Sequence, residues 1–252
     1  MDLYKFNCFN KYVDLLHLVT KKSMKFPYEF SMALHTGEDK SKIIENRKQL
    51  ASILKANNNL HFIVANQTHS DNIEIIDSIE SKGWGNLEDA VKDCDALITK
   101  ERGVMLTILT ADCVPILLYD NDKKIIAAVH AGWKGTKQKI VSKTVVKMSE
   151  VFGCNPKNIV AGIAPSIGVC CYEVGEDVAK HFFDRLEAIS SKGEKYMLNL
   201  PYINKYQLLE AGLLEKNIEM SNICTACKVD SYFSYRKEQR CSGRFMSMIG
   251  MS

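Results

Sequence analysis

Short apolar segments rich in β-branched residues recur along the chain, and turn-forming residues separate them. Apolar runs of about four to eight residues, bounded by such turns, are typical of buried strands. The predicted strands are His61–Asn66, Asn72–Ile76, Asp95–Thr99, Val104–Thr110, Ile159–Ile163, Tyr232–Tyr235 and Phe245–Ile249.

Other segments carry apolar residues at helical spacing, most clearly Lys40–Ala56. A second helix is expected to open at the glycine-punctuated turn Gly132–Thr136 and to run through Phe152. Further predicted helices are Leu15–Val19, Glu176–Leu186 and Leu200–Ala211. This mixture of strands and helices favours an α+β fold with more than one layer. The chain contains neither an internal repeat nor a Pro/Gly/Ser-rich linker, so we expect one domain spanning residues 1–252.

One predicted β-hairpin places two chemically active side chains near each other. Its strands are Thr110–Tyr119 and Lys124–His130, and Asn121 with Asp122 suits a two-residue turn. In that register Cys113 lies directly across from His130, with Cβ atoms about 4.5–5.5 Å apart. A slip of one residue would place the two side chains on opposite faces.

The thiolate and the imidazole could then share one Zn²⁺, but a catalytic zinc site takes three protein ligands and leaves one position open. His69, just after an apolar strand, is the best third candidate, and His35 is a weaker one. An ordinary structural histidine and a buried, inert cysteine are the competing interpretation.

The composition bounds the function. The 252 residues carry 33 basic and 30 acidic side chains without a basic block, so nucleic-acid binding is not expected. No apolar run reaches the roughly 20 residues of a membrane span, and the N-terminus does not resemble a secretory signal. The cysteine count of nine is odd, and without an export signal it favours reduced thiols and a cytoplasmic protein.

Other cysteines suggest less. Cys224 and Cys227 form a CxxC motif, with Cys241 as a possible third member, but a second pair at zinc-finger spacing does not follow. A structural or incidental role is therefore the favoured interpretation over a metal or redox site. The adjacent pair Cys170 and Cys171 is expected to pack in the core.

Several motifs together resemble one family. They are Gln67-Thr68-His69, Asp95-Ala96-Leu97-Ile98-Thr99, Leu109 to Pro115, His130 to Thr136, Gly162 to Gly168, Phe233 to Arg236 and Gly243-Arg244. Their order and content resemble the YfiH or laccase-domain family, also named for multicopper polyphenol oxidase, from about Phe30 to the C-terminus. The segment Thr20–Met24 departs from the family pattern, so substrate contacts from that segment are not carried over.

The resemblance implies layered mixed sheets flanked by helices, a YfiH-like fold related to the catalytic fold of cysteine-dependent toxins. It implies one Zn²⁺ held by His69, Cys113 and His130, the set that the hairpin suggests, and these three residues as the catalytic ones. It also implies phosphorolysis of adenosine, inosine, guanosine and S-methyl-5'-thioadenosine, together with deamination of adenosine. Laccase activity is not expected, because six scattered histidines cannot hold several copper ions.

Purine nucleoside and phosphate are thus the expected substrates. Arg47, Arg236 and Arg244 are candidates for bidentate phosphate contacts, with surface ion pairs as the alternative. The helix expected after Gly132 would offer its N-terminus to an anion. Gln67 would share a face with His69 on an extended backbone and could bind substrate. Asp112, the carboxylate nearest Cys113, is expected to organise structure behind the site.

Two other functions stay open on sequence alone. Cys113 could act as a nucleophile with His130 as its base, in a hydrolase that acts on an amide. The family resemblance implies a substrate for such chemistry, because some bacterial members are linked to the editing of peptidoglycan precursors. Alternatively, the metal could only stabilise the fold. The preferred nucleoside and the oligomeric state cannot be deduced from the chain.

Overall fold

Two large β-sheets lie face to face, and helices cover their outer surfaces. The computed structural model describes residues 2–55, 60–239 and 243–252. Its helices are α1 Lys40–Lys55, α2 Trp133–Lys137, α3 Ile140–Phe152, α4 Glu176–Ala179 and α5 Leu200–Glu210. Its strands are β1 Leu3–Tyr4, β2 Leu15–Thr20, β3 His61–Val64, β4 Ile73–Ile76, β5 Ala96–Thr99, β6 Val104–Thr110, β7 Val114–Asp120, β8 Ile125–Ala131, β9 Ile159–Ile163, β10 Glu173–Val174, β11 Ile189–Lys192, β12 Lys195–Leu198, β13 Ile218–Met220 and β14 Phe245–Met251.

Both large sheets are mixed. The first has the order β1-β2-β14-β6-β3, and the second has the order β13-β9-β7-β8-β5-β4. Strands β3 and β6 are parallel, as are β4 and β5, whereas β6–β14 and β7–β8 are antiparallel. A small antiparallel sheet, β10-β12-β11, stands apart from them.

The apolar runs form strands because both of their faces are buried. Along β6, Leu106 and Ile108 point into the layer between the two large sheets, where they join Leu117 of β7. Met105 and Leu109 of the same strand point the other way, into a cluster under α1. A strand buried on both sides has no polar face, so it reads as a continuous apolar run.

Helices form the outer layers. Leu50 of α1 packs on the first sheet. On the far side Val141 and Val145 of α3, with Ile203 of α5, pack on the second sheet. The result is a four-layer α/β/β/α arrangement, which confirms the predicted α+β fold. Within the described residues, none of the helices is long and apolar enough to span a membrane.

Most predicted strands are confirmed, but several segments differ from prediction. Leu15–Val19 is strand β2, since pairing with β14 buries it in the sheet. Tyr232–Tyr235 is irregular backbone that leads into a turn, and the Ser234 N–H donates to the Glu238 carboxylate instead of to a neighbouring strand. The helix expected over Glu176–Leu186 ends at Ala179 and continues only as a short 3₁₀ turn.

The helix expected from Gly132 to Phe152 is also divided. Lys139 adopts a left-handed conformation with φ 59° and separates α2 from α3. Gly132 therefore precedes a helix of only five residues, whose dipole is correspondingly small.

The hairpin register was predicted wrongly by two residues. His130 pairs with Pro115, because the loop between the strands has four residues rather than two. The carboxylate of Asp120 shapes that loop by accepting hydrogen bonds from the backbone N–H groups of Asp122 and Lys123. A shift of two residues preserves the face of every side chain. Cys113 and His130 therefore still lie on the same side of the sheet.

Candidate metal centre

Three chain segments bring possible ligands together at one end of the second sheet. His69 lies in the loop after β3, Cys113 lies just before β7, and His130 lies near the end of β8. One donor atom from each lies within 4.8 Å of the others. The Sγ of Cys113 is 3.6 Å from the Nε2 of His69, and the two imidazole rings meet edge to face at 4.8 Å.

One buried carboxylate orients two of these ligands. Asp95, fully buried directly before β5, accepts a hydrogen bond from His130 Nδ1 at 2.6 Å. Nε2 of His130 is therefore the nitrogen left to face Cys113. Asp95 also accepts from the backbone N–H of His69 at 3.1 Å and from that of Ser70 at 2.7 Å. A carboxylate behind a histidine ligand fixes the tautomer and the direction of the ring in metal sites.

No role of its own was predicted for Asp95, although this residue opens one of the motifs that carry the family resemblance. Its position directly before a fully buried strand was the available signal, because a carboxylate at such a place must be satisfied by hydrogen bonds. Asp95 also holds the loop in which His69 adopts a left-handed backbone conformation, with φ 62°. The extended backbone assumed for this segment was therefore wrong.

The charges in the cluster stabilise one another. Burial would raise the pKa of Asp95, but hydrogen bonds from His130 and Ser70 outweigh it and lower that pKa to about 2. Burial would likewise raise the pKa of Cys113, yet the His130 charge and hydrogen bonds from His130 and His69 lower it to about 6. Burial would lower the pKa of His130, but the charges of Cys113 and Asp95 and the hydrogen bonds with both residues raise it to about 9. The thiolate, which is the metal-binding form of cysteine, is thus favoured near neutral pH.

The backbone is shaped to this cluster at Gly132. A Cβ atom at this position would lie 2.8 Å from Cδ2 of His69 and 3.1 Å from Sγ of Cys113. Only glycine lets the chain pass this close to the ligands. The donor set of one thiolate and two imidazoles suits Zn²⁺, leaving a fourth position open.

Asp112 joins loops behind the site, as expected. One carboxylate oxygen accepts from the Thr225 hydroxyl and the other from the Arg236 backbone N–H, both at 2.6 Å. Its own carbonyl accepts from the Ile167 backbone N–H at 2.8 Å. These contacts fix the backbone immediately before Cys113, where Asp112 itself has φ 86°.

The candidate ligands form part of the wall of a cavity of about 520 Å³. A smaller cavity of about 250 Å³ adjoins it and shares His69, Cys113, Trp133 and Tyr235. Both polar and apolar residues complete the lining of the larger cavity. Its other members include Leu34, His35, Arg47, Asn66, Gln67, Leu87, Leu109, Thr110, Lys134 and Arg244.

Comparison with known proteins now places the chain. A family model described as multi-copper polyphenol oxidoreductase laccase matches residues 19–252. This chain belongs to that family. The family resemblance in the motifs is thereby confirmed.

Relatives of known name cover most of the chain. Purine nucleoside phosphorylase YlmD of Bacillus subtilis is 33% identical over 233 residues, 89% of this chain and 83% of the relative. Adenosine deaminase RL5, from an unknown prokaryotic organism, is 32% identical over 222 residues, 85% of this chain and 84% of the relative. The crystal structure of Bacillus licheniformis hypothetical protein YfiH has a TM-score of 0.90 at 32% identity, covering 97% of this chain and 94% of that one. The likeness to cysteine-dependent toxins stays a prediction.

Two of the predicted substrate residues are engaged in the scaffold. The guanidinium of Arg47 is 1% exposed and donates to the carbonyls of Met32, Gly83 and Trp84. Arg47 therefore holds two loops together, and its expected role as a bidentate phosphate ligand stays a prediction. The amide of Gln67 forms two hydrogen bonds with the backbone of Leu109, each 2.8 Å long.

The other two arginines border the cavities. Arg244 lines the larger one, where its guanidinium lies 5.7 Å from the ring of Tyr235. Arg236 lines the smaller one, 5.5 Å from the ring of Tyr172, and donates to the Glu173 carbonyl. His35 is on the wall of the larger cavity and outside the ligand cluster, so His69 is the third member of that cluster.

Proposed function

We propose that this protein is a Zn²⁺-dependent purine nucleoside phosphorylase whose site also deaminates adenosine, with His69, Cys113 and His130 as metal ligands. The names of the relatives indicate purine nucleosides as substrates. The observation that carries the proposal is the convergence of three donor atoms within 4.8 Å on the wall of a cavity of about 520 Å³. A bound Zn²⁺ would supply a Lewis acid and would stabilise negative charge that develops on the reacting group.

The residues around the metal ligands divide the remaining work. Asp95 holds His130 and the backbone of His69 in place, so the ligands need little rearrangement to bind the ion. Trp133 and Tyr235 offer aromatic surface to a purine base in the region shared by the two cavities. Lys134 and Arg244 are cations of the larger cavity and are suited to hold phosphate beside the ribose.

Activity of the metal-loaded protein tests the proposal. Adenosine, inosine, guanosine and S-methyl-5'-thioadenosine are incubated with and without phosphate. With phosphate we expect the free base and ribose 1-phosphate, or 5-methylthioribose 1-phosphate from S-methyl-5'-thioadenosine. Without phosphate we expect only inosine, formed from adenosine. His69→Ala should abolish both activities, whereas His61→Gln, at the far end of β3, should abolish neither. A zinc-loaded wild-type protein that forms none of these products would refute the proposal.

A second function is favoured by one observation. The lowered pKa of Cys113 and the raised pKa of His130 describe a thiolate–imidazolium pair, which is also the form of a cysteine nucleophile. In that case the enzyme would hydrolyse an amide in a peptidoglycan precursor. Hydrolysis of such a precursor by metal-depleted protein, blocked by alkylation of Cys113, would favour this alternative over the first.

The ligand thiol also bears on location. Cys113 would bind metal as a thiolate and must therefore stay reduced. The other cysteines that the structure describes are also free thiols. We therefore propose a reducing compartment, the cytoplasm, for this protein.

A further inference from the structure

Four cysteines that the sequence assigned to the core or to no role come together at the surface. Cys170 and Cys171 lie in the turn after β9, and Cys224 and Cys227 lie in the loop after β13. We call these four residues the cysteine cluster. Their sulfur atoms all lie within 4.8 Å of one another, and Cys170 and Cys227 are exposed. The expectation that Cys170 and Cys171 pack in the core is therefore wrong.

The spacing of the sulfurs matches metal coordination. Sγ of Cys227 is 3.5 Å from that of Cys170 and 3.4 Å from that of Cys171. Four thiolates arranged tetrahedrally at about 2.3 Å from Zn²⁺ are separated by about 3.8 Å. A disulfide instead requires sulfurs about 2.05 Å apart.

The backbone around the cysteine cluster supports thiolates. The Gly168 N–H donates to Sγ of Cys224 at 3.2 Å, an interaction that stabilises a charged sulfur. A Cβ atom at Gly168 would lie 3.2 Å from Cβ of Cys224 and 3.4 Å from Sγ of Cys170. Glycine thus allows the two loops to approach each other closely.

We propose that Cys170, Cys171, Cys224 and Cys227 bind one Zn²⁺ through four thiolates, as a structural site separate from the His69–Cys113–His130 centre. All four positions are filled by protein, which is the arrangement of a structural rather than a catalytic zinc site. Each thiol gives up its proton to solvent when the ion binds.

The location explains what such an ion would do. Thr225, inside the CxxC segment, donates its hydroxyl to Asp112, which precedes Cys113. The Thr225 N–H also donates to the carbonyl of Ser166, which ties the loop to the end of β9. Tyr172, directly after the first cysteine pair, lines the smaller cavity. Zinc in the cysteine cluster would therefore fix two loops that hold the candidate active site in shape.

Metal counting tests the proposal. Protein expressed with zinc and purified under reducing conditions should hold two Zn²⁺ per chain by elemental analysis. Cys224→Ser/Cys227→Ser should hold one, His69→Ala should hold one, and the combined variant should hold none. Cys8→Ser, a cysteine outside both sites, should keep two.

Cobalt gives an independent readout if the double variant does not fold. His69→Ala loaded with Co²⁺ should show intense thiolate-to-cobalt charge-transfer absorption, because its remaining site has four sulfur ligands. Absence of that absorption, or of any bound metal in His69→Ala, would overturn the proposal. A disulfide within the cysteine cluster after purification under reducing conditions would also overturn it. The same holds if the wild-type protein binds one Zn²⁺ and His69→Ala binds none.

Discussion

Asp95→Asn tests how much the buried carboxylate contributes to the metal centre. Both oxygens of Asp95 accept hydrogen bonds from N–H groups, one from His130 and the other from Ser70. An asparagine has only one acceptor oxygen. Whichever way its amide is turned, an N–H₂ group faces a donor in a fully buried place.

The magnitude follows from two effects. A buried donor left without a partner costs about 1–3 kcal/mol of folding free energy. Loss of a carboxylate that orients a histidine ligand weakens metal binding about 10–100-fold, which equals about 1.4–2.7 kcal/mol. We therefore expect Asp95→Asn to lower both the free energy of unfolding of the metal-free protein and its affinity for Zn²⁺.

The assay is competition for Zn²⁺ with a chelator of known affinity at fixed pH. The Cys224→Ser/Cys227→Ser background is used so that the His69–Cys113–His130 centre alone is measured. Asp120→Asn is the matched control, because Asp120 is also fully buried but shapes the distant hairpin loop. An unchanged Kd for Asp95→Asn, or an equal change in both variants, would show that Asp95 does not orient the ligands.

Three further predictions concern other parts of the structure. Gly132→Ala places a methyl group 2.8 Å from His69. We therefore expect a loss of about 1–3 kcal/mol in the free energy of unfolding and weaker Zn²⁺ binding in the same competition assay. Unchanged binding would contradict this. Arg244→Ala would remove the proposed phosphate contact from the wall of the larger cavity. Because a charge-assisted contact is worth about 1.5–3 kcal/mol, the KM for phosphate should rise about 10–100-fold while phosphate-independent deamination changes little. Equal losses in both reactions would argue against a phosphate role. Burial lowers the pKa of His17 to about 4, although a hydrogen bond with the Phe6 backbone opposes this shift. Between about pH 6.5 and pH 4, His17 therefore binds a proton in the unfolded state and stays neutral in the folded state. Chemical denaturation should therefore show stability falling by up to about 3 kcal/mol between pH 6.5 and 4, and His17→Gln should reduce this slope; an equal slope in the variant would contradict the assignment.

The fold could be predicted where burial alone decides the structure. Strands such as Val104–Thr110 are buried on both faces, so a short apolar run bounded by turns correctly predicts them. Leu15–Val19 is short and equally compatible with a helix, and only its pairing with the distant β14 settles the matter. Local pattern cannot reveal that partner, which lies at the other end of the chain.

The proximity of two candidate ligands could be predicted because a hairpin offset of two residues leaves every side chain on the same face of the sheet. Cys113 and His130 thus stayed together although the hairpin is offset by two residues. Arg47 shows the opposite case. Its guanidinium looks available in the sequence, but loops distant in the chain provide carbonyl acceptors that enclose it.

The cysteine cluster was missed for a related reason. The two pairs, Cys170–Cys171 and Cys224–Cys227, are far apart in sequence and do not follow a known zinc-finger spacing. The parallel bridge between Ser166 and Cys224 brings their loops side by side. Pairing of this kind depends on the order of strands in the sheet, which a single sequence does not specify.

Anomalous diffraction at the zinc absorption edge, from crystals of the zinc-loaded protein, would show whether His69, Cys113 and His130 bind the ion. We expect a zinc peak bonded to His69, to Sγ of Cys113 and to Nε2 of His130, with its fourth position facing the cavity of about 520 Å³. Crystals without a peak at these three side chains, or with all four positions filled by protein atoms, would contradict it.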